Sequence, residues 1–432
     1  MVLSGVQSWF DHAHHDPELI EVSPGFPLKA CGNDGLPQDW ELPLCSKRRG
    51  IDSKTAKHTT GGEMLDFINP SHPSEFAVLR LVAEAQEGGG DVFDIGRLCR
   101  NLEPGDNAAW EKAWLELADA TEAKAKRELE LGHKRTATQF FFHANQYYRM
   151  SDVFLAGDEL ERRKARFLKC QANFRAAAKL HSPPIETIKI PCGAEEYEGY
   201  LCHPINPAPG KWPVVFLIGG ADAFSEELFF DGRPATERGW ALVLVDTPGR
   251  GSSIYVKGIP SRPDYEAPVK ACIDYLVARP ELDPDRIAVI GISMAGYYAP
   301  RATAFEPRVK AYIGWSGCYS VLEDLYLFCP NLQATVRRLL GGVTDQEARE
   351  QLKAFTMEGI AQNIKCPTLI THGGQDIRMS VEGAKRLFTE ISAKDKTLKI
   401  YDDPKVGGTI HCSHDYWAHH VPFMLDWLEE RL

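Results

Sequence analysis

Ile287-Ala288-Val289-Ile290-Gly291-Ile292-Ser293-Met294-Ala295-Gly296 is an apolar run that ends in a turn of small residues and opens directly onto a helical stretch. A serine at such a strand-to-helix junction occupies a strained turn, and small neighbours let the strand and helix approach closely. Ser293 is therefore expected at the carboxyl end of a buried strand, exposed for nucleophilic attack. Ala295 stands where the G-x-S-x-G pattern has its last glycine, so these residues alone would also describe a Gly/Ser turn capping a helix. The surroundings decide between the two.

Those surroundings are short β-branched runs separated by helical stretches. After Ser182-Pro183-Pro184, runs at 185–190 and 197–202 read as an antiparallel pair, and further strands are expected at 214–218, 241–245, 287–290, 311–315, 368–371 and 398–401. Helical segments separate the later runs, as right-handed crossovers between parallel strands require. The fold class is α/β, an α/β-hydrolase fold with an eight-stranded, mostly parallel sheet over 185–432, and Ser293 follows the fifth strand. Roughly 50 residues separate Trp315 from Pro367, more than one crossover helix needs, so this segment is expected to add structure over the site.

An acyl-transfer serine needs a base and a carboxylate that orients it, and in this fold they follow in the order Ser, Asp, His. Pro367-Thr368-Leu369-Ile370-Thr371-His372-Gly373-Gly374-Gln375-Asp376 is a strand and Gly-rich loop ending in an acid; a turn or helix-capping role is the plainer alternative for Asp376. In Gly407-Gly408-Thr409-Ile410-His411-Cys412-Ser413-His414, two histidines compete. His411 is favoured as the base because it follows the Gly-rich loop directly, leaving His414 a surface or supporting residue. Oxyanion donors are expected from the backbone N–H groups of Met294 and of Ala221 in Gly219-Gly220-Ala221-Asp222. Asp222 reads either as a solvated cap of the next helix or as a group aimed at a substrate donor.

The N-terminal part, 1–184, reads differently. From 107 to 180 there is no proline, and Trp110, Trp114, Leu117 and Ala118 share one helical face. Helices are expected at 107–131, 134–156 and 158–180, with Gly132 and Gly157 at the joints, forming an N-terminal helical cap domain. One further helix is expected around 75–87, and the aromatic group Phe140, Phe141, Phe142, Tyr147 and Tyr148 is expected to pack in a core.

The chain has 432 residues, 44% hydrophobic and 25% charged, a globular composition. A net charge of -11 and no basic run beyond Lys47-Arg48-Arg49 disfavour nucleic acid, leaving a small-molecule substrate. Eleven cysteines, an odd number, and the lack of a charged-then-apolar leader point to a reducing cytoplasm. No membrane span is expected, and self-association as a homodimer is left open. Asp246-Thr247-Pro248-Gly249-Arg250-Gly251-Ser252-Ser253 lacks the phosphate-loop lysine and reads as a turn after the fourth strand. The histidines at 12, 14, 15, 419 and 420 lack zinc-type spacing, so neither a metal nor another cofactor is expected.

Gly291-Ile292-Ser293-Met294-Ala295-Gly296-Tyr297-Tyr298-Ala299-Pro300-Arg301, together with Gly219-Gly220-Ala221-Asp222 and Tyr147-Tyr148-Arg149, resembles the fungal polyketide-shortening α/β-hydrolases of pigment biosynthesis. The chain is also similar to 2,6-dihydroxypseudooxynicotine hydrolase, over roughly residues 130 to 430. The resemblance implies a serine triad that cleaves a carbon-carbon bond next to a ketone beneath a helical cap, with Ser293, Asp376 and His411 at the triad positions and Asp222 at an acidic position beside the oxyanion loop. A carboxylesterase, lactonase or acyltransferase/cyclase of secondary metabolism would use the same residues, and a catalytically dead scaffold is the non-enzyme alternative.

Overall fold

The computed structural model of the protein describes residues 74–103, 105–155 and 159–432. Five helices come first: α1 (Ser74–Ala85), α2 (Val92–Cys99), α3 (Asn107–Glu130), α4 (Lys134–Asp152) and α5 (Leu160–Leu180). Gly132 takes φ +82° and ends α3 as expected, since a left-handed residue there costs glycine little. Gly157, the other expected joint, lies outside the described residues, as do His12, His14, His15 and the basic run at 47–49. α4 stops four residues short of the expected 156. The Arg163 guanidinium of α5 donates to the Asp152 and Leu155 carbonyls, taking up acceptors that another helical turn would have used.

Trp110, Trp114 and Ala118 of α3 pack on Tyr147, Tyr148 and Phe167, the side of α3 that the spacing foretold. α4 is buried at every residue from Phe141 to Ser151, because α3 and α5 cover one side and the catalytic body the other.

The sheet comprises β1 (Ile185–Cys192), β2 (Glu195–Cys202), β3 (Trp212–Ile218), β4 (Ala241–Val245), β5 (Leu282–Ile292), β6 (Val309–Trp315), β7 (Thr368–Gly373) and β8 (Lys396–Tyr401). Its order is β1-β2-β4-β3-β5-β6-β7-β8; β2 pairs antiparallel with β1 and β4, and all the other pairs are parallel. The helices of this half are α6 (Ser225–Glu237), α7 (Gly251–Tyr255), α8 (Glu266–Val277), α9 (Ala295–Phe305), α10 (Gln333–Leu339), α11 (Asp345–Leu352), α12 (Val381–Glu390) and α13 (Trp417–Glu429). Successive β-residues face opposite ways. Val214, Phe216 and Ile218 therefore pack with α8 and α9, while Val215 and Leu217 pack with α4, α5, α6 and α13. The N-terminal helices thus share the second face, and α10 and α11 fill the long segment between β6 and β7.

A buried carboxyl ties this face to the sheet. Glu226 of α6 accepts hydrogen bonds from Gln171 of α5 and from the Tyr200 hydroxyl of β2 at 3.1 and 2.6 Å. Burial, reinforced by the nearby Asp246 charge, pushes its pKa up to about 7. Between its ordinary value of 4.5 and about 7 the folded state then holds a proton that the unfolded chain has released. This group makes the protein less stable as pH rises through that window. The Tm of Glu226→Gln, relative to wild type, is expected to rise between about pH 5 and 7.5. Parallel Tm curves for the two proteins would show that Glu226 does not carry the proton.

Candidate active site

Ser293 lies between β5 and α9 with φ +59°, a left-handed conformation that strains a residue with a side chain. Close packing holds it there. A Cβ on Gly291 would lie 2.4 Å from the Ala295 carbonyl oxygen, and one on Gly296 2.0 Å from the Cα of Gly317. Glycine is required at these two positions, whereas Ala295, the departure from the motif, is accommodated fully buried in the core. The Ser293 amide donates to the Trp315 carbonyl at 2.8 Å, locking the turn to β6.

His411 Nε2 lies 2.9 Å from Ser293 Oγ, and its Nδ1 lies 2.6 Å from Asp376 Oδ2. The other carboxylate oxygen of Asp376 accepts the backbone N–H groups of Arg378 and Met379. Asp376 therefore shapes its own loop while engaging the imidazole; α12 begins after Ser380, so Asp376 does not cap it. Burial by itself would raise the Asp376 carboxyl, but His411 outweighs it and holds the group below the usual range. The His411 loop is anchored in turn: Trp315 Nε1 donates to the Cys412 carbonyl and the Cys412 amide to Ser316 Oγ. Ser316, Cys412 and Ser413 all have positive φ, so strained non-glycine residues gather around this one point.

His414 is not on the surface. It is buried, neither ring nitrogen has a hydrogen-bond partner among the described residues, and burial drives its pKa well down, keeping it neutral. Its ring and that of His411 each lie about 5.5 Å from Phe76 of α1. Of the two histidines at the C-terminal end, His420 is buried and meets the Tyr401 hydroxyl at 3.0 Å, whereas His419 is exposed and stacks on Tyr416.

The loop after β3 crosses over the serine. A Cβ on Gly220 would lie 2.8 Å from Ser293 Cβ and 3.1 Å from its Oγ, so this backbone runs against Ser293. Among the described residues, neither the Ala221 nor the Met294 amide donates a hydrogen bond to another group. Arg250 Nε, donating to the Gly219 carbonyl at 3.0 Å, fixes the loop from below. Arg250 belongs to the turn after β4, where Asp246 accepts from Ser225 and from the Ser252 amide, so that segment is structural, as its sequence suggested.

Asp222 does not cap α6, whose N-cap is Phe224. Its two oxygens meet Arg80 of α1 and Arg149 of α4 at 3.3 and 3.2 Å. Burial alone would raise the carboxyl, but the guanidiniums of Arg80, Arg149 and Arg378 hold it well below the usual range. Its side chain is 48% exposed, yet that exposure is to the active-site cavity. Behind it, Arg80 and Arg149 also pair with the fully buried Glu227.

The cavity measures about 630 Å³ and reaches His411 from a mouth lined by α1, the end of α4, the start of α5 and the segment before α10. α1 forms part of its wall through Phe76 and Arg80, whereas α3 contributes nothing to the lining. The aromatic group of α4 does not face the cavity either. The helix expected around 75–87 is α1, but sequence reasoning missed its place at the site, together with Arg80, Arg338 and Arg378. The Tyr147-Tyr148-Arg149 segment was the one signal near them.

Residues 235–432 match the family model of the prolyl oligopeptidase family. The chain is 33% identical over 391 residues to hydrolase ORFZ of Pyricularia oryzae, spanning 77% of this chain and 90% of that protein. It is 30% identical to 2,6-dihydropseudooxynicotine hydrolase of Paenarthrobacter nicotinovorans, spanning 75% of this chain and 84% of the relative. The crystal structure of 2,6-dihydroxy-pseudo-oxynicotine hydrolase superposes with a TM-score of 0.71 at 26% identity, covering 81% of this chain and 95% of that one. Among the described residues, no helix is long and apolar enough to cross a membrane.

Proposed function

Since the chain belongs to the α/β-hydrolase family and is a hydrolytic enzyme, we propose that it is a serine hydrolase that cleaves a carbon-carbon bond next to a ketone in a polyketide-like or aromatic substrate. The observation that carries the reading is the continuous contact from Asp376 through His411 to Ser293, at 2.6 and 2.9 Å. Ser293 Oγ attacks the ketone carbon and its proton passes to His411 Nε2. The oxyanion that forms is met by the Ala221 and Met294 amides. Collapse breaks the carbon-carbon bond, the electron pair leaves on the α-carbon as an enolate, and His411 returns the proton to it. Water then attacks the acyl-enzyme with His411 as base, releasing a carboxylic acid. The helices before β1 act as the cap that excludes bulk water.

Asp222 supports carbon-carbon cleavage over simple ester hydrolysis. Kept ionised by the guanidiniums of Arg80, Arg149 and Arg378, it is an acceptor for a phenol hydroxyl of the substrate, which would hold the ketone carbon at Ser293. An ester has no such requirement. The substrate is a small molecule and the setting cytoplasmic, with no nucleic-acid or membrane partner and no cofactor or metal.

The test is product analysis with a hydroxyaryl β-diketone in ¹⁸O-water. Cleavage should give a ketone and an acid carrying one heavy oxygen from solvent. Asp222→Asn should slow this reaction about tenfold, on the order of 1.4 kcal/mol, and aryl-ester hydrolysis by much less. Intact diketone beside rapid ester hydrolysis would favour the carboxylesterase reading.

A further inference from the structure

Five arginines line the cavity, and three of them are neutralised. Arg80 pairs with Asp222, Glu84 and Glu227, Arg149 with Asp222 and Glu227, and Arg163 with Asp152. The other two are not. The Arg378 guanidinium lies 4.1 Å from the centre of the Phe76 ring, and among the described residues no carboxylate is within ion-pair distance of it. It lines both the main cavity and the narrower recess that holds Ser293. Arg338, on α10, is buried and its Nε has no partner among the described residues. Asp152, the acid whose charge it feels, is already engaged by Arg163.

An arginine guanidinium stays protonated at any ordinary pH, so each of these carries a full charge, Arg338 buried and Arg378 half-buried. An uncompensated charge of that kind is costly, and a bound anion offsets the cost. Among the described residues neither Arg338 nor Arg378 has a carboxylate within ion-pair distance, which leaves two guanidiniums without an ion pair of their own. The guanidinium fork suits a planar pair of oxygens.

We propose that this cavity selects substrates carrying a planar oxyanion, with Arg378 holding it beside Ser293 and Arg338 receiving an anionic group at the far end. The anion is a carboxylate or the enolate of a β-dicarbonyl unit other than the carbonyl that Ser293 attacks; both present two coplanar oxygens. The inference rests on the serine-hydrolase reading above and narrows its substrate class. It also gives the departing enolate a resting place at Arg378.

The test uses two matched pairs of substrates. Mono-p-nitrophenyl glutarate is compared with neutral p-nitrophenyl butyrate, and p-nitrophenyl 4,6-dioxoheptanoate with its 5,5-dimethyl analogue, whose dicarbonyl unit cannot form a delocalised enolate. Wild type should favour the anionic member of at least one pair by tenfold or more in kcat/KM. Arg338→Met should reduce a carboxylate preference, and Arg378→Met an enolate preference, at least fivefold, while Arg338→Lys and Arg378→Lys retain most of it. The pair that responds identifies the source of the anion. No preference in either pair, or equal losses on both members, would overturn the proposal. Fluorophosphonate labelling at Ser293 separates the two levels. A labelled wild type without anion preference removes only the anion site, whereas an unlabelled wild type removes the serine-hydrolase reading and the proposal with it.

Discussion

Ser293→Ala is expected to lower kcat by roughly four powers of ten or more while leaving the melting temperature within a few degrees of wild type. Its Oγ meets only His411 among the described residues, at 2.9 Å, so its loss opens no hole in the core and removes no backbone tie. The turn is held by the Ser293 amide on Trp315 and by Gly291 and Gly296, none of which the substitution touches. His411→Ala should cost about as much, and the double variant scarcely more than either, because residues acting as one unit are not additive. His414→Ala behaves differently. A buried neutral ring is lost from the wall beside Phe76, so stability falls before the chemical step does. The measurement is kcat on an aryl ester beside thermal melts of all four variants. If Ser293→Ala kept a tenth of wild-type kcat, the nucleophile would have to be another residue. Equal loss of kcat in His411→Ala and His414→Ala would mean that the recess, rather than one imidazole, supports the base.

The catalytic half was legible because its signals are local and directional. A β-branched run followed by glycine and serine can close only as a strand, a tight turn and a helix, and the two loops bearing Asp376 and His411 each follow a strand with glycines. The order of the three residues along the chain then leaves one fold that brings them to one edge. The strands came out longer than their apolar cores because polar ends such as Glu195 and Lys396 still join the ladder. What could not be read was the place of α1 at the site, although the helix itself was expected around 75–87. Its Phe76 and Arg80 act through contacts with Asp222, His411 and Glu227, each more than 140 positions away, and nothing in a twelve-residue helix announces such partners. Arg338 and Arg378 were hidden for the opposite reason. What distinguishes them is the lack of a partner, and no spacing encodes that.

Gly220→Ala should be the most damaging change available outside the three reacting residues: about a hundredfold loss of kcat in a protein that still folds. The added Cβ would sit 2.8 Å from Ser293 Cβ, 3.1 Å from Oγ and 3.3 Å from the Ile292 carbonyl oxygen. Room for it must come from somewhere. Ser293 cannot yield, because its own backbone is held at φ +59° between β5 and α9. The loop after β3 must therefore lift, and with it the Ala221 amide that follows and the Asp222 carboxylate beyond. A shift of a few tenths of an ångström to 1 Å at an oxyanion donor and its nucleophile together is worth on the order of two powers of ten. The backbone itself raises no objection, since Gly220 does not occupy the left-handed region, and overpacking at one methyl should cost about 1–3 kcal/mol. Gly90→Ala is the matched control: its Cβ would meet Tyr147, Ile95 and Leu81 at ordinary contacts of 3.4 to 3.6 Å. The readout is the rate of fluorophosphonate labelling at Ser293 together with kcat. A labelling rate within threefold of wild type in Gly220→Ala would mean that the loop does not press on the serine, and that Ala221 is not its oxyanion donor.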